Sequence, residues 1–383
     1  MVENSRKSAI LATMKMKPLF CALALAAGVA FFAALPAPAD DAAASIAAGG
    51  LVPRRETRIV MAKEVLRISP EKVAVDYEFR NDTDQDVTTE VAFPIPPYSY
   101  GPDSTAIESA SFSGFKLLID GKPVSYQIEA KAALNGRDVT AILAADKIDI
   151  PSYGHLREPS GGEEKFQTPD LERLPAAEQQ RLIDLGLFAR DENSRWGLWE
   201  VHLQYHWTQR FPAHSTVHIR HEYTPVEGDE LMPLDTFKEA LASADAAVPA
   251  PANLPPPDDP KLLASFCPDP TLLRGAIARI EASDPQSGSF AYPQWVDFIL
   301  TSANTWRQPI EDFTLVIERG KPRGGMGPRL ISFCSPLDAP VKKLDADHFQ
   351  IHLTNFVPQA ELRIGFFDLP AAKAGAAGSS ESH

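Results

Sequence analysis

The chain has 383 residues, with 37 Lys and Arg against 51 Asp and Glu and a formal net charge of −14. Such an acidic balance argues against nucleic-acid and anionic-membrane binding, both of which rely on clustered basic side chains. Pro is abundant at 34 residues. Because Pro donates no hydrogen bond to a helix or ladder, short strands and ordered loops are expected in place of long helices.

The first element is a leader. Lys15 and Lys17 precede an apolar run from Leu19 to Leu35, which ends in Ala37-Pro38-Ala39 before Asp40-Asp41. A basic start, a short apolar core and small residues two apart make a secretory signal, with cleavage expected after Ala39. The run is too short to favour a membrane span of ~20 residues, so no integral span is expected after cleavage. Cys21 sits too early in the run to become a lipidated terminus. The mature chain is therefore expected in the periplasm or outside the cell. It loses four basic residues and one acidic residue, leaving 33 against 50, a net charge of −17. Cys267 and Cys334 remain, and an even pair in an oxidising compartment predicts a structural disulfide. A redox pair or metal ligation is the alternative, with no Cys-x-x-Cys to support it.

Along the mature chain, residues 57–68 read as a strand, and Ser69-Pro70-Glu71-Lys72 as a turn. Alternation then buries Val73, Val75, Tyr77 and Phe79, and, after the polar loop 81–85, Val87, Val91 and Phe93. Two period-two runs flanking a polar loop predict an antiparallel pair with one wet face. Strands are expected at 109–119 and 123–130 around Asp120-Gly121. Residues 137–192 have helical spacing at 137–146 and 175–188, with Leu182, Leu185 and Phe188 as a buried stripe, and read as a helical insertion. Strands return at 201–207 and 217–223. Six prolines in 248–260 mark a linker spanning 231–260. A helix capped by Asp269 follows over 269–282, then strands near 292–302, 311–319, 329–334, 348–354 and 360–367. The expected organisation is mainly β: immunoglobulin-like antiparallel β-sandwich(es), with an N-terminal region at 40–230, a C-terminal β-rich region at 261–370 and a disordered tail at 371–383.

Several stretches carry a family resemblance: Ala-Ala-Gly-Gly-Leu at 47–51, Asp86-Val-Thr-Thr-x-Val-Ala-Phe-Pro-x-Pro96, Tyr205-x-Trp207-x-Gln209-x-Phe211-Pro212, His221-x-Tyr223-x-Pro225 and Ser332-Phe333-Cys334. Together with the leader, they resemble a bacterial exported family catalogued as domain of unknown function 4424. The resemblance spans roughly residues 40–367 and implies no activity.

Four places have side chains suited to chemistry. His202 and His206 fall on the outward face of one strand, His218 and Glu222 on that of the next. In a hairpin symmetric about Pro212, His206 faces His218 and His202 faces Glu222. Three imidazoles and a carboxylate on one face suit zinc, and a solvated charged face is the alternative. Asp82-x-Asp84-x-Asp86 resembles the start of a calcium loop, but Val87 and Phe93 occupy positions where the helix-loop-helix version needs Gly and Glu; a polar turn is the alternative. Residues 320–327 form a Gly-rich basic loop without the Gly-Lys-Ser/Thr end of a phosphate loop; it reads as a hairpin tip, with contact to an acidic partner as the alternative. Trp196 and Trp199 offer a sugar-stacking platform or, alternatively, core.

The chain has no nucleophile elbow and no His-Glu-x-x-His. The expected function is a non-enzymatic binding or scaffold protein of the cell envelope, without a cofactor, whose partner is an envelope protein or polymer. The alternatives are a metal-dependent hydrolase centred on His202, His206 and His218, using zinc or calcium, and a carbohydrate-binding module.

Overall fold

The computed structural model describes residues 42–47, 50–99, 114–151, 155–157, 165–167, 169–190, 195–225, 227–245, 260–283 and 290–371. The expected leader, most of the Pro-rich stretch, nearly all of the expected tail and residues 109–113 of an expected strand lie outside them.

In chain order the first strands are β1 (Ala42–Ala47), β2 (Gly50–Pro53), β3 (Ile59–Ile68), β4 (Val73–Asn81), β5 (Val87–Pro94) and β6 (Tyr98–Ser99). Next come β7 (Lys116–Ile119), β8 (Lys122–Pro123), β9 (Gln127–Leu134) and β10 (Arg137–Asp138). Helix α1 (Thr140–Ala145), the pair β11 (His155–Arg157) and β12 (Lys165–Gln167), and helices α2 (Pro169–Glu172) and α3 (Ala176–Asp184) lead to β13 (Glu200–Phe211) and β14 (Ser215–Tyr223). The remainder comprises β15 (Glu227–Asp229), β16 (Met232–Pro233), α4 (Leu234–Asp245), α5 (Pro260–Ala264), α6 (Pro270–Glu281), β17 (Phe290–Phe298), β18 (Ile310–Glu318), β19 (Met326–Phe333), β20 (Lys342–Lys343), β21 (His348–Phe356) and β22 (Leu362–Pro370).

These strands build three main sheets. The first runs β10-β9-β13-β5-β1-β2, with β6 also on β13; the second runs β20-β21-β18-β3-β4-β14-β7-β8; the third runs β15-β17-β22-β19, with β16 on β17. The fold is thus mainly β, as expected, and its ladders are antiparallel except for β3–β18, which is parallel. Parallel partners cannot be joined by a tight turn. Here the two come from opposite ends of the chain, so the expected N- and C-terminal regions share one sheet.

The first two sheets meet through their apolar faces. The Phe93 ring of β5 lies 4.7 Å from His221 of β14, and the Trp207 ring of β13 lies 5.5 Å from it. The expected alternation holds, with Val73, Val75, Tyr77 and Phe79 buried in β4 and Val87, Val91 and Phe93 in β5. The expected pairing does not. β4 bonds to β3 and β14, while β5 bonds to β1 and β13. Loop 82–86 therefore carries the chain from the second sheet to the first, and loop 212–214 carries it back. Asn81 fastens the two corners together, its Nδ2 donating to the carbonyls of Gln85 and Phe211 at 2.9 Å each. The later strands repeat the device: β17 lies in the third sheet and β18 in the second.

The segment 137–192 holds short helices, as expected, but its role is not peripheral. Leu143, Ile150, Leu171, Leu182, Ile183 and Phe188 all join the main core. Leu185, expected in the buried stripe, is 49% exposed because it lies at the α3 C-cap, and Ile183 and Leu187 turn inward instead. Helix α4 occupies the first part of the expected linker; its Phe237 is fully buried, and together with α5 and α6 it covers the face of the third sheet that carries Phe367 and Leu369. Helix α6 starts as expected: the Asp269 carboxylate accepts from the Thr271 and Leu272 N–H groups at 2.7 and 2.8 Å.

Cys267, just after α5, is bonded to Cys334, just after β19, which ties this helical layer to its sheet across 67 positions. Reducing the bond is expected to lower the unfolding free energy by about 2–4 kcal/mol, because the open chain regains loop entropy when unfolded. Urea titration with and without reductant measures this. Two titratable thiols in unreduced, unfolded protein processed at Ala39 would contradict the bond.

Candidate functional site

The second sheet places His218 opposite Glu78, and Glu222 opposite Ala74 and Lys116. The first sheet places His206 opposite Ala92 and Gln127, and His202 opposite Lys131. Since the inner faces of the two sheets meet, their outer faces point to opposite sides, and the expected four-ligand set is dispersed. His202 and His206 are themselves four strand residues apart, about 13 Å, beyond the reach of one zinc ion. Among the described residues, no group of three or more His, Cys, Asp or Glu is placed to hold a metal ion.

What the first sheet gathers instead is a polar set on the outer face of β5, β9 and β13. His206 is only 7% exposed although it lies on an outward position. Its Nδ1 is 2.6 Å from Glu90 Oε1, and the Thr208 hydroxyl donates to Glu90 Oε2 at 2.9 Å. With Nδ1 engaged, Nε2 is the ring's other hydrogen-bonding atom, and the carboxylate sets the ring's orientation. His202 Nε2 lies 2.7 Å from Glu200 Oε1. Glu129, opposite Gln204, accepts the backbone N–H of Leu51 at 3.1 and 3.2 Å on its two oxygens and lies 3.5 Å from Lys131 Nζ. The Leu51 side chain packs with Ala44 and Ala92. Strand β1 follows the edge of β5 only from Ala42 to Ala44, so β1–β2 must fold across the outer face to bring Leu51 to Glu129. Glu90 and Glu129 carried no sequence signal, because an outward acid on an alternating strand reads as a solvated residue.

On the opposite side, Glu222 accepts from Lys116 at 2.8 Å and Lys72 at 2.6 Å, and these hydrogen bonds hold its carboxyl down to about 2. A depressed carboxyl stabilises the fold above its unfolded value, near 4.5, and loses that contribution as pH falls toward 2. Both lysines are exposed, and screening limits the contribution to about 1 kcal/mol. Glu222→Gln is therefore expected to flatten the pH dependence of stability between pH 4.5 and 2 while changing little at acid extremes. An unchanged profile would contradict the assignment.

The other sequence candidates are engaged in structure. Asp82 bonds Arg80 at 2.8 Å, Asp84 bonds His214 at 2.9 Å, and Asp86 accepts from the Ala213 N–H at 2.9 Å and from Arg210. The three carboxylates share no partner at the corner between sheets. In the Gly-rich loop, Arg323 is tied to Asp229 at 2.7 Å. Trp199 is fully buried and donates from Nε1 to the Ile150 carbonyl at 3.2 Å, so it forms part of the core and offers no stacking face; Trp196 is half-buried.

The model of the family described as "Domain of unknown function (DUF4424)" matches residues 39–364. The chain belongs to this family. The match takes in the polar outer face and the helical layer and ends within β22. A comparison with curated proteins finds no match. Among solved structures, a "putative nutrient binding protein" of Legionella pneumophila subsp. pneumophila str. Philadelphia 1 is similar over 86% of this chain and 70% of that one, at 13% identity and a TM-score of 0.35. No helix among the described residues is long and apolar enough to cross a membrane.

Proposed function

We propose that this chain is a non-enzymatic binding or scaffold protein of the cell envelope, with an immunoglobulin-like arrangement of its first two sheets, and that it holds an envelope protein or polymer on the outer face of the first sheet. The observation that carries the reading is the pre-oriented set Glu90–His206–Thr208 beside Glu129, in which the His206 ring is buried and hydrogen-bonded to a carboxylate. Polar groups already held by their neighbours lose little freedom on binding, which favours recognition. The leader at 1–39 and the disulfide support an oxidising compartment. Photocrosslinking in cells tests the reading, with the reactive residue placed at Gln204 on this face or at Thr216 on the opposite one. Adducts to an envelope component from Gln204 alone are expected; equal capture from both positions, or none, would overturn the surface assignment.

A second reading, a metal-dependent hydrolase, draws on the 2.6 Å contact between Glu90 and His206, since a carboxylate-oriented imidazole suits a metal ligand or general base. Stoichiometric zinc in purified protein, lost in His206→Gln, would favour it. A glycan among the captured partners would favour the carbohydrate-binding alternative.

A further inference from the structure

The polar face is covered by the chain's own N-terminal strands, and their attachment is slight. β1 pairs with β5 at three positions, Ala42–Ala92, Ala43–Val91 and Ala44–Glu90, whereas β13 pairs with the other edge of β5 at eight, from Gln204 to Phe211. Ala43, Ala44 and Leu51 are the buried apolar side chains of β1 and β2 among the described residues. Among the described residues further bonds hold the segment: Leu51 N–H to Glu129, Ala43 N–H to Thr305 Oγ1 at 3.1 Å, and Arg54 N–H to the Ala43 carbonyl at 2.7 Å.

We propose that β1–β2 is the internal occupant of a peptide-strand site formed by the edge of β5 at Glu90–Ala92 and the carboxylate of Glu129, and that an extended segment of a partner polypeptide displaces it. The inference rests on the binding reading above and names its partner class. The chain's own segment shows the chemistry accepted: backbone N–H and C=O groups for the edge of β5, a small side chain at Ala44 where the strand passes Glu90, and one N–H with an adjoining apolar side chain for Glu129. Edge addition draws its affinity from backbone hydrogen bonds that any sequence supplies, and its selectivity from the side-chain positions. Held to β5 at three register positions, the covering segment is expected at the low-stability end of the fold, where local opening is frequent.

Hydrogen exchange on the intact, processed protein tests the displacement directly. Amides of β1 and β2 are expected to exchange at least 100-fold faster than those of β13; equal protection would overturn the proposal. A fluorescent peptide spanning residues 42–53 is expected to bind a variant lacking 40–53 at least tenfold more tightly than the wild type, and to lose about tenfold when Glu129→Gln is added. Equal binding by both chains, or no effect of Glu129→Gln, would overturn it. Should the shortened variant fail to fold, the exchange rates of the intact protein decide. Protected β1 amides alongside specific capture from Gln204 would remove this proposal and leave the binding reading standing. Rapid β1 exchange and peptide binding with no capture in cells would do the reverse.

Discussion

Asp368→Ala is expected to destabilise the protein by about 3–5 kcal/mol in urea unfolding, because it leaves a buried guanidinium without its counter-charge. Asp368 is fully buried and Arg329, its cross-strand neighbour on β19, is 2% exposed. Arg329 donates to the two Asp368 oxygens at 2.6 and 2.8 Å and to Gln294 Oε1 at 2.8 Å, while Asp368 also accepts the Arg323 N–H at 2.9 Å. The network thus closes the third sheet and anchors the Gly-rich loop at once. Replacing both members with apolar residues, Arg329→Met with Asp368→Leu, is expected to lose less than Asp368→Ala alone, since no charge is then stranded. A loss below about 1 kcal/mol for Asp368→Ala would show that water or another anion reaches Arg329 in solution.

Trp199→Ala is expected to lose a further large share of stability, about 3–5 kcal/mol, in the range for deleting a fully buried aromatic side chain. Its ring meets Phe188 edge-on at a centroid distance of 5.2 Å. The ring also lies so close to the backbone of Gly197 that a Cβ added there would stand 2.5 Å from it. Trp196→Ala, at a half-buried site, is expected to cost less than half as much in the same measurement. The same packing decides the fate of the segment 137–192. Loop entropy alone would make its replacement by a short Gly-Ser link inexpensive, yet removing Leu143, Ile150, Leu182, Ile183 and Phe188 opens the main core. The shortened chain is expected to show no cooperative unfolding transition by circular dichroism; a cooperative one would mean that these helices sit on the core without completing it.

Little of the candidate site was legible in advance. His202 and His206 stood out as outward imidazoles, and their strand was read correctly. Their carboxylate partners, Glu90 and Glu200, come respectively from a neighbouring strand and from two residues away on the same strand, and nothing in the residue pattern marks either as a partner. The roof over the face was equally hidden. Leu51 is 78 positions from Glu129, and an Ala-rich segment has no alternation to show that it crosses a sheet.

By itself the sequence determined the buried faces of β4, β5, β13 and β14, the cap of α6, the tight turn at Asp120-Gly121 and the pairing of Cys267 with Cys334. Each of these depends on simple chemistry: a period of two, a carboxylate before a helix, a left-handed turn with φ of 48° and 75°, or the even pair of cysteines that lies beyond the expected leader. Tertiary structure alone decided which strands are neighbours. A strand buries the same side chains whether it bonds to the next strand in the chain or to a distant one, because ladder hydrogen bonds use backbone groups common to all residues. Loops 82–86 and 212–214 are as short and polar as hairpin turns, yet both are corners between sheets, held by Asn81 and Asp86 reaching from one corner to the other. That choice separated His206 from His218, joined β18 to β3, and placed the polar set of Glu90, Glu129 and His206 beneath β1–β2.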